Sequence, residues 1–201
     1  MQQIVVIHGG TCFNTHEEYL NFLQTREVSL DYFKPRADWK SGLQKALGED
    51  YLVLQPRMPD QTNAQYNEWK IWFERLASLL EDEVILIGHS LGGIFLAKYL
   101  SENEFPKAIG ATILVAAPHD DEDGSESLGT FRLTGDLKRL QQQAGRLSFY
   151  FSNDDPVVTP YNMEKYKQAL PEANFHIFED RQHFGQPEFP ELVEEIRNIA
   201  I

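Results

Sequence analysis

A serine in the middle of the chain lies between closely spaced glycines, in the segment VILIGHSLGGIFL, Val84–Leu96. Its core, GHSLG (Gly88–Gly92), follows an apolar run and precedes a helical pattern. A strand that turns this sharply into a helix strains the serine backbone and crowds the residues two before and two after it. Only glycine fits there, so the segment predicts that the hydroxyl of Ser90 is displayed as a nucleophile.

A serine hydroxyl is a weak nucleophile at neutral pH and requires a base, which in turn requires an orienting acid. We predict His183 as the base, because its loop, EDRQHFG, follows the last strand pattern. Catalytic loops of parallel sheets lie at the carboxyl ends of strands. His119, after the fourth strand, is the alternative, whereas the side chain of His89 should point away from Ser90.

The acid should lie in SNDDPVVTP, which directly follows the fifth strand pattern. Asp154 and Asp155 both fit. We favour Asp155, because Pro156 restricts the backbone of the residue before it and so limits how that residue presents its side chain.

The negative charge that forms on a substrate carbonyl oxygen requires hydrogen-bond donors. The first strand pattern ends in HGGT, where the absence of side chains lets a carbonyl approach the backbone closely. We predict the N–H of Leu91 as one donor and that of Gly10 as the other, with Thr11 as the alternative to Gly10.

Composition restricts the class of protein. The 201 residues carry a net charge of −13, which disfavours general binding to nucleic acid or to an anionic membrane. The length fits one domain over residues 1–201. Cys12 is the only cysteine, and neither a signal peptide nor a membrane span is visible, so we expect a cytoplasmic protein without disulfides.

Short apolar runs alternate with helical patterns, which predicts an α/β fold with a mostly parallel sheet of about six strands and helices on both faces. The predicted strands are Gln3–Ile7, Tyr51–Leu54, Val84–Ile87, Ala111–Val115, Leu147–Phe151 and Asn174–Phe178. The predicted helices are His16–Gln24, Trp39–Leu47, Ala64–Leu80, Leu91–Leu100, Leu137–Ala144, Tyr161–Leu170 and Pro187–Ile199. Arg26–Asp38 is predicted as a loop or a short extra helix.

The segments HGGTCF, GHSLGG, ILVAAP, SNDDPVV and HF occur in the order of an α/β-hydrolase, and the resemblance covers nearly the whole chain. The chain is similar to the small YdeN-type serine hydrolases related to retinoblastoma-binding protein nine. The resemblance implies a Ser90–Asp155–His183 triad, esterase-like or peptidase-like activity on small substrates, and little or no cap domain. Two features depart from the family: Gln182 replaces the usual glycine before the histidine, and Arg26–Gly48 is long enough to form a wall of the site.

Two other features carry weaker signals. The acidic run DDEDGSES, Asp120–Ser127, lacks the end ligands of a calcium loop, since His119 and Thr130 occupy those positions. We predict a solvated loop and no metal site. Cys12 lies beside the glycine turn and is predicted to be a buried thiol.

The sequence therefore predicts a hydrolase that needs no cofactor and cleaves small carboxylic esters or thioesters through an acyl-serine intermediate. Small amides or peptides are the second choice of substrate. A non-catalytic binding module on the same fold is the alternative from a different functional class, because a fold does not determine its function.

Overall fold

A computed structural model of the chain describes residues 1–34, 37–122 and 126–199. Its sheet has the strand order β2-β1-β3-β4-β5-β6, and each neighbouring pair is parallel. The strands are β1 (Gln2–Ile7), β2 (Tyr51–Leu54), β3 (Val84–His89), β4 (Ile109–Val115), β5 (Arg146–Ser152) and β6 (Asn174–Phe178). The prediction of a six-stranded parallel sheet is confirmed.

Seven α-helices lie within the described residues. They are α1 (His16–Thr25), α2 (Trp39–Leu47), α3 (Tyr66–Ala77), α4 (Leu91–Glu102), α5 (Lys138–Gln143), α6 (Pro160–Ala169) and α7 (Pro190–Arg197). Two short 3-10 helices span Leu30–Phe33 and Gly129–Phe131. Of the helices in the described ranges, none is long and apolar enough to cross a bilayer.

Two hydrophobic cores cover the two faces of the sheet, as the apolar strand runs predict. Successive side chains of a strand point to opposite faces. In β1, Val5 and Ile7 pack in the core that includes α3, α4, α5 and α6, whereas Ile4 and Val6 pack in the core shared with α2 and α7. Each strand end is thereby held between two helical layers, which fixes the positions of the loops that follow.

The strand order reverses beside β1. The chain passes from β1 to β2 on one side and then returns to β3 on the other side of β1. Ligands of open α/β sheets bind at such a switch point, outside the carboxyl ends of the strands. The glycine turn after β1 and the serine turn after β3 are therefore neighbours at this edge.

The segment between β1 and α2 adds little to the sheet. Thr15 caps α1 as its sequence predicts, since its Oγ1 accepts the N–H of Glu18 at 3.1 Å. Neither α1 nor the 3-10 helix Leu30–Phe33 contains a buried residue. Residues 35 and 36 of the predicted Arg26–Gly48 wall lie outside the described ranges. Over the described part of the chain, this short addition is too small for a separate cap domain.

Two helices differ from their predicted bounds by three residues at one end. α3 is shorter than the predicted Ala64–Leu80, because Leu79 and Leu80 donate to carbonyls three residues back rather than four. The helical spacing of Trp69, Trp72 and Phe73 predicts that all three pack in the core. Trp72 is nevertheless 47% exposed, since the buried face of α3 follows Trp69 and Phe73. α7 begins at Pro190 rather than at the predicted Pro187, with proline at its first position.

The turn from β3 into α4 is crowded by main-chain atoms. A Cβ on Gly88 would lie 2.4 Å from the carbonyl oxygen of Gly92. A Cβ on Gly92 would lie 2.3 Å from the carbonyl oxygen of Ile7. Backbone cannot move away as a flexible side chain can. These main-chain contacts therefore leave no room for a side chain at Gly88 or Gly92, as the sequence predicts.

We expect Gly92→Ala to destabilise the fold by about 1–3 kcal/mol, because the new methyl group overlaps β1. Gly135→Ala is the matched control, since a Cβ there meets nothing within 4 Å. Urea unfolding followed by circular dichroism measures both variants. Equal midpoints for the two alanine variants would contradict the crowding.

Candidate active site

Ser90 lies at the junction of β3 and α4 with a φ of 56° and a ψ of −123°. A non-glycine residue rarely adopts this left-handed conformation, which costs on the order of 1–3 kcal/mol. The backbone N–H of Ser90 donates to the carbonyl of Val115 at the end of β4, at 2.9 Å. This bond holds the turn against the sheet, so the hydroxyl projects above the carboxyl edge.

His183 connects the serine to a carboxylate. Its Nε2 lies 2.9 Å from Oγ of Ser90, and its Nδ1 lies 2.9 Å from Oδ2 and 3.1 Å from Oδ1 of Asp155. A carboxylate only accepts, so Nδ1 carries a hydrogen and the lone pair of Nε2 faces the serine. The structure thus brings together three side chains that are far apart in the sequence.

Asp155 is held rigidly in the loop after β5. Its Oδ1 accepts the backbone N–H of Val157 at 2.8 Å and that of Val158 at 3.0 Å. Its side chain is only 1% exposed. Because these bonds satisfy a buried carboxylate, the group can face the imidazole as an anion without free polar atoms.

Asp154, the other predicted acid, lies against the backbone of the histidine loop instead. Its Oδ1 accepts the N–H of Gln182 at 2.8 Å and the hydroxyl of Ser152 at 2.5 Å. The hydrogen bond from Ser152, followed by those from the loop backbone, lowers the pKa of Asp154. Gln182 has a φ of 47°, so it adopts the backbone conformation that glycine would take at this position.

The alternative base, His119, lies elsewhere. Its Nδ1 is 2.9 Å from Oδ2 of Asp120, and no contact joins its ring to Ser90 among the described residues. His176 stacks on Tyr150 with 4.4 Å between the ring centroids, within the sheet. His183 is therefore the histidine that the fold brings to the serine.

The two predicted oxyanion donors, Leu91 and Gly10, lie beside Ser90. Neither Leu91 N nor Gly10 N has a hydrogen-bond partner within the described part of the chain. The N–H of Thr11, in contrast, donates to the carbonyl of Gln61 at 2.9 Å. That bond makes Thr11 a poorer donor to a substrate than Gly10.

A half-buried histidine, His8, orients the peptide group between Gly9 and Gly10. Nδ1 of His8 lies 2.6 Å from the carbonyl oxygen of Gly9, which also accepts from Nε2 of Gln61 at 3.0 Å. Nε2 of His8 accepts the N–H of Met58, and burial lowers the pKa of His8. In a trans peptide the N–H points opposite to the C=O. Binding the Gly9 oxygen therefore fixes the direction of the Gly10 N–H.

Two hollows meet at Ser90. A cleft of about 360 Å³ is lined by Ser90, His183, Lys40, Arg26 and Tyr32, among others, so the segment after α1 forms part of its wall. A narrow recess of about 20 Å³ is lined by Ser90, by the two predicted oxyanion residues and, among others, by the apolar side chains of Pro118, Leu128, Val157 and Val158. A larger cleft of about 810 Å³, between α2 and α7, contains none of the three clustered side chains.

Cys12 is a buried thiol, as predicted, and is unsuited to act as a nucleophile. Its Sγ donates to the carbonyl of Ser127 at 3.2 Å. Burial, and then the charges of Glu126 and Asp121, raise the pKa of Cys12 to about 12. The thiolate that a nucleophilic cysteine requires is therefore scarce at neutral pH.

The predicted acidic loop is only partly described, because residues 123–125 lie outside the described ranges. Asp121 pairs with Arg132 at 2.7 Å, and Lys165 pairs with both Asp120 and Glu122. In the described ranges, no group of three or more potential ligand side chains could hold a metal ion.

A comparison with protein families identifies the chain. The family model described as serine hydrolase matches residues 33–188, which span the serine turn, the acid loop and the histidine loop. The chain belongs to the serine hydrolase family.

Individual proteins agree with this assignment. This serine hydrolase is 25% identical to the rat protein "Serine hydrolase RBBP9" over 162 residues, 80% of this chain and 83% of the relative. Among solved structures, it resembles the ydeN gene product of Bacillus subtilis, with a TM-score of 0.78 and 18% identity over 99% of this chain and 98% of that one. A meta-cleavage product hydrolase from Pseudomonas fluorescens has a TM-score of 0.65 and 14% identity over 100% and 92%. These similarities confirm the α/β-hydrolase fold and the resemblance to the YdeN type.

Sequence reasoning missed several polar residues that support the serine hydrolase site. His8 and Gln61 orient the glycine turn, while Lys40 contacts the ring of His89, which points away from Ser90 as predicted. No local spacing could have revealed these partnerships, because they join separate elements. The one signal visible in the sequence was that His8 directly precedes the glycine turn.

Proposed function

We propose that this serine hydrolase cleaves small carboxylic esters or thioesters through an acyl-serine intermediate. The observation that carries the proposal is the imidazole of His183, which is within hydrogen-bond distance of both Ser90 Oγ and the Asp155 carboxylate. This arrangement supplies a nucleophile, its base and an orienting acid in one connected set.

In acylation, Oγ of Ser90 attacks the substrate carbonyl carbon while Nε2 of His183 takes the hydroxyl proton. The new carbon–oxygen bond moves an electron pair onto the carbonyl oxygen, which the N–H groups of Leu91 and Gly10 stabilise. The tetrahedral intermediate then expels the alcohol or thiol, which receives the proton from His183. The acyl group remains on Ser90.

In deacylation, water attacks the acyl carbon and gives its proton to His183. A second tetrahedral intermediate forms in the same oxyanion site. Its collapse breaks the bond to Oγ, which recovers the proton from His183, and releases the carboxylic acid. Asp155 keeps the hydrogen of the neutral imidazole on Nδ1 and stabilises the charged imidazolium in both halves of the cycle.

The hollows around Ser90 support short substrates. The narrow recess is lined in part by apolar side chains and is about the size of one water molecule, which favours a small acyl group. The cleft of about 360 Å³ falls within the range of small-molecule sites. Small amides and peptides remain the second candidate class.

The domain organisation, cofactor requirement, partners and location of the protein are also part of the proposal. We infer that residues 1–201 form one domain and that the reaction requires no cofactor. The net charge of −13 argues against nucleic acid and anionic membranes as partners. A cytoplasmic location is the expectation from the sequence. A non-catalytic binding module is the alternative function, and the following experiment distinguishes it from the enzyme.

A fluorophosphonate probe should label the folded protein, because Ser90 can displace its fluoride and form a stable phosphonyl ester. We expect labelling to disappear in Ser90→Ala and to persist in Ser101→Ala, a serine on the far end of α4. Gel fluorescence and intact mass measure the adduct. A folded wild-type protein without an adduct would favour the binding module.

Esters of graded acyl length test the proposed substrate class. We expect kcat/KM for p-nitrophenyl esters to be highest for acetate to butyrate and to fall by at least about tenfold at octanoate, because the recess accommodates only a small group. Rates that rise steadily with chain length would contradict the acyl-recess assignment.

Replacing each acid separately tests the assignment of Asp155. Asp155→Asn should lower kcat by about 10⁴-fold, because an amide can donate to His183 and thereby reverse its tautomer. Asp154→Asn keeps an oxygen that can accept the Gln182 N–H, so its loss should be about tenfold or less. Equal losses of kcat in the two folded variants would contradict the assignment.

A further inference from the structure

We propose that His89, the residue before the serine, is a positioning residue whose neutral imidazole holds the backbone of His183, and that Lys40 selects the tautomer that does so. The inference rests on the proposed acyl transfer, since it gives His89 a part in that reaction. His89 acts through His183 and does not touch the reacting atoms.

The contacts of the His89 ring determine where its hydrogen lies. Nε2 is 2.9 Å from the carbonyl oxygen of His183. A carbonyl oxygen only accepts, so Nε2 must carry a hydrogen and donate it. Nδ1 is 3.4 Å from Nζ of Lys40, and an ammonium group only donates. Nδ1 therefore keeps its lone pair, and the two partners together select the Nε2–H tautomer.

Lys40 is itself held in place by the start of α2. Its Nζ lies 2.5 Å from Oδ2 of Asp38, the residue that caps this helix by accepting the N–H of Lys40 at 3.1 Å. Burial lowers the pKa of Lys40, and the hydrogen bond that its ammonium donates to Asp38 opposes that effect. The carboxylate thus keeps the ammonium charged in a setting that is only 13% exposed.

The surroundings of His89 also keep its ring neutral. The residue is 8% exposed, and burial lowers its pKa well below the usual value. The positive charge of Lys40 on α2 also lowers the pKa of His89, and the hydrogen bond to the carbonyl of His183 opposes this effect only in part. A neutral ring at this position, with 5.1 Å between its centroid and that of His183, adds no repulsion when His183 becomes an imidazolium.

The loop that carries His183 needs support of this kind. Its neighbours Gln182 and Phe184 have φ values of 47° and 52°, which other chain segments must stabilise. The indole Nε1 of Trp39 donates to the carbonyl of Phe184 at 3.0 Å. His89 is the side chain that binds the carbonyl of the base itself, so it controls the position from which the imidazole reaches Ser90.

Three substitutions separate this hydrogen bond from simple packing. His89→Gln places an amide N–H near the position of Nε2, His89→Asn has a donor that is too short to reach, and His89→Leu fills the space without a donor. On a short p-nitrophenyl ester, we expect the leucine and asparagine variants to lose about 10- to 100-fold in kcat, with KM changed by less than about threefold. The glutamine variant should recover most of that loss, and His176→Gln is the remote control.

A spectroscopic measurement tests the tautomer independently of turnover. In protein containing ¹⁵N-labelled histidine, two-bond ¹H–¹⁵N correlation spectra at neutral pH should show the His89 hydrogen on Nε2. In Lys40→Met, which removes the donor to Nδ1 without adding volume, we expect part of the population to move to the Nδ1–H form and kcat to fall about three- to tenfold.

The outcomes distinguish this inference from the proposed function. A wild-type ring with its hydrogen on Nδ1 would overturn the role of His89, as would a folded His89→Leu variant with wild-type kcat. If the leucine variant does not fold, equal kcat values for the glutamine and asparagine variants have the same meaning. Wild-type protein with neither probe labelling nor ester turnover would contradict the proposed function instead, while its spectra would still report the tautomer.

Discussion

The hydrogen bonds on either side of the His183 ring are the contacts on which the site depends. An imidazole has one nitrogen for each partner, and both bonds here are about 2.9 Å long. Hydrogen bonds weaken steeply with distance and misalignment, so neither partner can shift by much without loss. The parallel sheet meets this demand because β3, β5 and β6 end at one edge and are clamped between two helical cores. Hydrogen bonds to the main chain hold each of the loops that follow them.

Placing three side chains so closely requires strained backbone. Ser90, Gln182 and Phe184 all have positive φ, and each conformation is unfavourable for a residue with a side chain. Each is held by groups from another element: Ser90 by the carbonyl of Val115, Gln182 by the carboxylate of Asp154, and the region of Phe184 by the indole of Trp39. Residues that touch no reacting atom are therefore needed to keep the arrangement in place.

Sequence patterns predicted the parts of this protein that local chemistry determines. Apolar strand runs and the spacing of Gly88 and Gly92 around Ser90 are properties of a few neighbouring residues, and they sufficed to predict the fold. The choice between Asp154 and Asp155 was harder, because it depends on the direction in which the backbone before Pro156 presents each side chain. The positions of Lys40 and Gln61 lay beyond such reasoning, because their contacts cross from one element to another. Trp72 shows a further limit: helical spacing places it near the core, but the face of α3 that the sheet covers is centred on Trp69 and Phe73.

Three histidine rings, those of His8, His89 and His183, lie near Ser90, and their different degrees of burial suit them to different roles. The rings of His8 and His89 each have two fixed partners, one that accepts and one that donates, and burial lowers the pKa of both. Each can hold a backbone carbonyl, but neither has a free lone pair to offer the serine. The side chain of His183 is 25% exposed and has one nitrogen on the hydroxyl, so the proposed mechanism assigns the proton transfer to this ring. Two rings whose burial and partners favour the neutral form leave the geometry unchanged while the third changes its charge. A site that needs both a proton carrier and rigid supports can thus use one side-chain type for both, because the environment of each ring decides its role.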